Sequence, residues 1–345
     1  MTEYHEAAAG TAVSRPPDIK AVPVRHPGRW IAVVVIAVLA AMMVHTLVFS
    51  KVQRGNGNES RFGWAVVGDY LFSHQILHGV LVTVELTAIA MAIGIVGGVL
   101  LAVMRLSPNP VLSGVSWLYL WFFRGTPLIV QIAFWYVGIS FLYPQLSLGI
   151  PFGPEFAHYS ANDLIVPMVA ASIGLGFNEA AYMAEIVRAG ILSVDEGQHE
   201  AASSLGMTRA LLMRRIVLPQ AMRVIIPPTG NEVISMLKNT SLVFAAGVVD
   251  VYYAQQEISA TTYQTEPMLL VACLWYLALT SVLMIGQYYI ERHYARGSVR
   301  ELPPTPLQRF KSLVGRRNVL PPATVDLEAQ AVLGGLGRGP GGQHL

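Results

Sequence analysis

Six stretches of the chain are apolar almost without interruption, and most of its polar residues lie between them. They are Trp30 to Phe49, Val80 to Met104, Trp117 to Leu142, Leu164 to Val187, Val224 to Val248 and Met268 to Tyr289. Each meets the roughly 17 to 20 residues that a helix needs to cross a hydrocarbon core. The pattern predicts an all-α integral membrane protein with six transmembrane helices. The first stretch is of full span length, and no small-x-small cleavage site follows before Lys51, so it reads as a retained helix rather than a signal peptide. Gly94-x-x-x-Gly98 in the second stretch suits close packing against another helix.

Composition supports the membrane reading. Of 345 residues, 53% are hydrophobic and only 13% charged, outside the balance of a soluble domain. The distribution of charge then sets an orientation. With the amino terminus in the cytoplasm, the segments on that side hold 18 Lys and Arg, against 3 (Lys51, Arg54 and Arg61) on the other. That bias predicts cytoplasmic termini and a cytoplasmic loop at 190–223. The longest outside loop, 51–78, carries Trp64, Tyr70 and Phe72, side chains suited to the outer interface. A single cysteine, Cys273, excludes an intrachain disulfide. Residues 1–28 and 297–345 are polar or rich in Pro and Gly, compositions expected to stay disordered. No internal repeat is visible, which counts against carriers built from duplicated halves.

The 190–223 loop is the most informative polar segment. Ser193-Val194-Asp195-Glu196 fits a capping box, which starts a helix at Ser193. The helix carries Ala201, Ala202, Ser203 and Ser204, small residues that let another surface come close. Gly206 is placed to end it in the left-handed conformation. Thr208 then caps a second helix through Arg214, Arg215 and Ile216, whose run Pro219 is expected to limit. The competing reading is an amphipathic helix resting on anionic lipid through Arg209, Arg214 and Arg215.

Ionisable residues inside spans are expensive and therefore functional candidates. Glu85, Arg124, Glu179, Glu185, Glu232 and Lys238 are these, with Asn239, Thr240 and Ser241 as polar companions. Arg124 offers bidentate donors to a passing carboxylate, or a structural ion pair with Glu85 or Glu179. Lys238 is as well explained by snorkelling to an interface. Catalytic readings fail on spacing: His199-Glu200-Ala201-Ala202-Ser203 lacks the second histidine of a zinc-protease helix, so no metal site is supported. No Gly-Lys pair is present to build a phosphate-cradling loop, so any ATP is hydrolysed on another chain.

Glu200-Ala201-Ala202, Gly206 and Ile216-x-Leu218-Pro219 together resemble the EAA loop of the membrane subunits of ATP-binding-cassette importers. Three further stretches, over residues 64–292, resemble the polar amino-acid branch of that family, the histidine, glutamine and arginine type. They are Phe123-Arg124-Gly125-Thr126-Pro127-Leu128 with Gln131, then Ala181 to Ile191 with Gly197 to Glu200, and Leu237-Lys238-Asn239-Thr240-Ser241-Leu242. Two positions depart: Ala189 stands where glycine is usual, and Asn239 where aspartate is common.

The resemblance implies a five-helix type I importer core over 64–292, with the helix at 30–49 added before it, in a prokaryotic inner membrane. It implies a permease for a polar amino acid or related small zwitterion, not an enzyme. An ion-coupled carrier using intramembrane carboxylates is the alternative. As partners it implies cytoplasmic ATPase subunits holding ATP and magnesium, an extracytoplasmic solute-binding protein and a second permease copy or paralogue in the lipid bilayer. Glu200, Ala201, Ala202, Gly206, Ile216, Leu218 and Pro219 become the ATPase-coupling loop. Glu85, Arg124, Gln131, Glu179, Lys238, Asn239 and Thr240 become candidates for the translocation path.

Overall fold

The computed structural model describes residues 27–54, 57–150 and 153–294. The expected tails at 1–28 and 297–345 lie almost wholly outside them. Helices dominate: α1 (Pro27–Phe49), α2 (Trp64–Leu71), α3 (His74–Arg105), α4 (Pro110–Gly125), α5 (Leu128–Ala133), α6 (Ile139–Leu142), α7 (Ala161–Leu164) and α8 (Pro167–Leu192). There follow α9 (Glu196–Ser204), α10 (Arg209–Leu212), α11 (Leu218–Asn239), α12 (Val251–Thr262) and α13 (Thr265–Tyr294). Two antiparallel hairpins, β1 (Lys51–Arg54) with β2 (Gly57–Ser60) and β3 (Gln145–Gly149) with β4 (Glu155–Ser160), fill stretches read from sequence as loop.

Helices α1, α3 and α13 are each long and apolar enough to span a membrane, and α3, at 32 residues, is about 48 Å long. Two bent pairs raise the number to five: Pro110–Gly125 with Leu128–Leu142, and Arg209–Ala246 with Val251–Thr262. Helix α8 is 26 residues long but carries Glu179, Glu185 and Arg188.

The apolar stretch from Trp117 to Leu142 is broken where Pro127 is expected to interrupt its helix, with a bend of 104° between its halves. Pro127 causes the break. The residue before a proline is pushed out of the helical region, and Thr126 is extended at φ −114°, ψ 144°. Asn109 opens α4 by accepting the Val111 amide hydrogen at 2.9 Å, with Pro110 in the first turn. A wider, π-type turn at Phe134–Gly138 joins α5 to α6.

The chain divides into two compact units. Among the described residues, one gathers 27–89, Leu128–Leu175 and Leu237–Leu279; the other gathers Ala90–Pro127, Gly176–Met236 and 280–294. In the first, Val67, Ile76, Ala254, Ile258, Met268 and Val271 form a buried cluster. The Trp275 indole nitrogen donates to the Leu71 carbonyl at 2.7 Å beside it. Asp250, fully buried, caps α12: one carboxyl oxygen accepts the Tyr253 amide hydrogen and the other the Tyr276 hydroxyl, both at 2.8 Å. The Thr83 hydroxyl accepts the Val251 amide hydrogen at 3.3 Å.

In the second unit, α3 and α8 meet through glycine. A Cβ on Gly94 would stand 2.4 Å from Glu179 Cγ, and one on Gly98 the same distance from Met183 Cβ, so the packing role expected of Gly94-x-x-x-Gly98 is what the structure shows. Helix α4 is tied to the same pair. Ser116 Oγ donates to the Leu101 carbonyl at 2.8 Å, the Tyr119 hydroxyl to the Phe177 carbonyl at 2.9 Å, and Asn178 Nδ2 to the Phe123 carbonyl at 3.0 Å.

Candidate functional site

The loop after α8 is built by its caps. Ser193 is not the N-cap expected of it: its hydroxyl donates back to the Gly190 carbonyl at 2.7 Å and closes the end of α8. Asp195 takes the role two residues later, Oδ1 accepting the Gly197 amide hydrogen at 2.7 Å. Both residue types can cap, and Ser193 is already engaged by the preceding helix.

Helix α9 ends as the sequence predicts. Gly206 adopts φ +71°, its amide donates to the Ser203 carbonyl at 3.0 Å, and the Met207 amide to the Ala202 carbonyl at 3.1 Å. This is the paired arrangement of a Schellman turn. Thr208 Oγ1 accepts the Leu211 amide hydrogen and starts α10.

Pro219 does not end the second helix. A π-type turn at Met213–Val217, closed by the Leu218 amide on the Met213 carbonyl, carries the helix past it into α11. The wider turn accommodates a residue with no N–H to give, and the Gln220 side chain donates to the Ile216 carbonyl at 3.1 Å.

What the loop shows to its surroundings follows from burial. Ala202, at 2% exposure, and Val217 are held inside, and Gly190 lies against Ile225. Glu200, Ala201, Gly206, Leu218 and Pro219 are exposed, Ile216 is half-buried, and Leu205 reaches 82% exposure. The Ser203 and Ser204 hydroxyls turn back onto the His199 and Glu200 carbonyls at 2.8 and 3.0 Å. Helix α9 therefore presents two carboxylates, Glu196 and Glu200, and small side chains, with a protruding leucine at its C-cap.

The path candidates are divided between the two units. In the first unit, Gln131 is buried on α5, which packs against the short 3₁₀ turn at Thr240–Ala246; Thr240 is buried there, its hydroxyl donating to the Leu237 carbonyl at 2.8 Å. Glu85 and Lys238 are exposed and Asn239 half-buried. In the second unit Glu179 is 3% exposed, and its Oε1 has no hydrogen-bond partner among the described residues.

Arg124 keeps different company from the Glu85 or Glu179 expected of it. Its guanidinium lies over the Tyr182 ring, 5.3 Å from the centroid. It also lines a pocket of about 500 Å³ with Arg105, Trp117, Trp121, Glu185 and Arg188. The ion pair here is between Glu185 and Arg188, with contacts of 2.5 and 3.0 Å. Their three-residue spacing signals that pair in the sequence. Nothing local signals that Arg105, separated in sequence by Ser113 and α4, joins them. Among the described residues no cluster of His, Cys, Asp and Glu could hold a metal.

Comparison with known proteins agrees with this geometry. The chain is 48% identical over 295 residues to the arginine transport system permease protein ArgU of Corynebacterium glutamicum, covering 85% of this chain and 88% of that one. It is 38% identical over 211 residues to the probable amino-acid permease protein YxeN of Bacillus subtilis, covering 61% and 87%. Its fold matches the crystal structure of an amino acid ABC transporter with histidines, at a TM-score of 0.54 and 34% identity over 64% of this chain and 94% of that one. The inward-facing methionine ABC transporter MetNI shares the fold, at a TM-score of 0.50 and 20% identity over 64% and 97%. Residues 94–296, which hold α9, its two caps and the α3–α8 glycine contact, match the model of one family, so the chain belongs to the binding-protein-dependent transport system inner membrane components.

Proposed function

We propose that this chain is the permease subunit of an ATP-binding-cassette importer that carries a polar amino acid or related small zwitterion across a prokaryotic cytoplasmic membrane. The observation that carries the reading is α9: a short, doubly capped helix whose Glu200, Ala201 and Leu205 are exposed while Ala202 anchors it. Such a helix suits a cleft in a soluble partner. ATP and magnesium belong to that ATPase subunit, and its closure is transmitted through α9 to the spans. Coupling requires that α9 bind one state of the ATPase better than the other.

The bias of Lys and Arg supports cytoplasmic termini and a cytoplasmic 190–223 loop. The names of the amino-acid relatives support the cargo class, with arginine the first to try. An extracytoplasmic binding protein delivers it, and a second permease copy or paralogue completes the path. In a path formed between two copies, residues exposed on one copy are the ones able to meet cargo. Glu85, Arg124, Lys238 and half-buried Asn239 fit that condition, while Gln131, Glu179 and Thr240 support the wall from within. An ion-coupled carrier using Glu85, Glu179 or Glu185 gains no support from family membership.

The test is uptake of labelled arginine, and of other polar amino acids, in cells treated with a protonophore while ATP is maintained. Uptake is expected to persist. Loss of uptake on collapse of the ion gradient alone would overturn the assignment.

A further inference from the structure

The pocket beside Arg124 has a composition that the transport path does not explain. Its lining carries the guanidiniums of Arg105, Arg124 and Arg188 against one carboxylate, Glu185, which Arg188 already engages. Arg105 Nη1 donates to Ser113 Oγ at 2.9 Å and keeps further donors. Trp117 and Trp121, 52% and 61% exposed, also line the pocket, their rings nearly parallel at 6.5 Å. Along α4, Val111, Val115, Leu118 and Phe122 are also exposed, at the spacing of a helix face. Arg105 is the last residue of α3, and α4 begins five residues later. The pocket therefore reaches a membrane boundary, with an apolar, tryptophan-bearing helix at its edge.

We propose that this pocket binds the phosphodiester headgroup of an anionic phospholipid, with the acyl chains lying along the exposed face of α4. Guanidinium groups hold phosphate oxygens by paired, charge-assisted hydrogen bonds. Exposed tryptophans settle at the headgroup level, and basic pockets between spans select anionic lipids. The net positive charge disfavours the proposed cargo, because a free amino acid carries an ammonium next to its carboxylate and arginine adds a second cation. The inference rests on the membrane reading of the chain alone. Arg124 is shared with the path candidates, so the test uses Arg105, which the path does not involve.

The assembled transporter is reconstituted in nanodiscs of equal phosphatidylglycerol and phosphatidylcholine, and lipids retained on release are identified by native mass spectrometry. The wild type is expected to retain phosphatidylglycerol, and Arg105→Gln to reduce that retention roughly fivefold, the loss of one cation's attraction to an anionic headgroup. Excess free arginine or glutamine is expected to leave it unchanged. Should the variant fail to assemble, photoreactive phosphatidylglycerol on the wild type decides the matter by labelling residues 105–125, where phosphatidylcholine does not. Equal retention of both lipids, labelling elsewhere, or displacement by a free amino acid would overturn the proposal. Failure of the uptake experiment would leave all these outcomes unaffected.

Discussion

At the scale of single residues, conformation decides more than charge. Gly206 holds φ +71° with open space where a side chain would go, so the objection to a larger residue is backbone strain rather than crowding. Gly206→Val is therefore expected to leave the protein in the membrane while losing association with the ATPase or substrate-stimulated hydrolysis; copurification and ATPase assays of the assembled complex check this, and wild-type uptake would refute the coupling role of α9. Asp250 is the converse, a buried carboxylate whose value is its hydrogen bonds. Asp250→Ala removes the α12 cap and one partner of the Tyr276 hydroxyl, an expected loss of about 1–3 kcal/mol from the two effects. A lowered thermal midpoint of the purified permease is the readout. Gly206 and Thr208 were legible in the sequence because caps are local chemistry. The role of Ser193 is not legible there because Asp195, two residues on, can cap as well, and only the hydrogen bond to Gly190 shows which helix each serves.

At the scale of elements, the notable events are interruptions. Pro127 breaks the third apolar stretch, yet Pro219, Pro227 and Pro228 are carried within the helical run from α10 through α11. Thr126 is extended before Pro127, whereas a π-type turn precedes Pro219, and composition does not distinguish the two. The α3–α8 contact tests how tightly the elements are matched. Gly98→Leu places carbon where Met183 Cβ and backbone already stand, so helices must separate, an expected cost of about 1–3 kcal/mol or more. Lower detergent-solubilised yield and a lower thermal midpoint would register it; an unchanged midpoint would show that the contact is looser than its geometry.

At the scale of the whole molecule, apolar surface is left without a partner. None of the apolar window of α1 is buried, and much of α4 and α13 is exposed among the described residues, as expected of helices facing lipid or another subunit. If the path forms between two permeases, a tagged copy should bring down an untagged copy, or a paralogue, together with the ATPase. A complex holding one permease per assembly would contradict that arrangement. Hydrophobic run lengths, the distribution of Lys and Arg and the caps of the 190–223 loop are properties of neighbouring residues, and they determine the membrane class, the expected orientation and the place of the short helix after α8 without any fold. The burial of Glu179 against Gly94 and the gathering of Arg105, Arg124 and Arg188 around one pocket were decided only by tertiary structure. Each depends on which helix faces come together, and residues far apart in the chain meet only when helices pack.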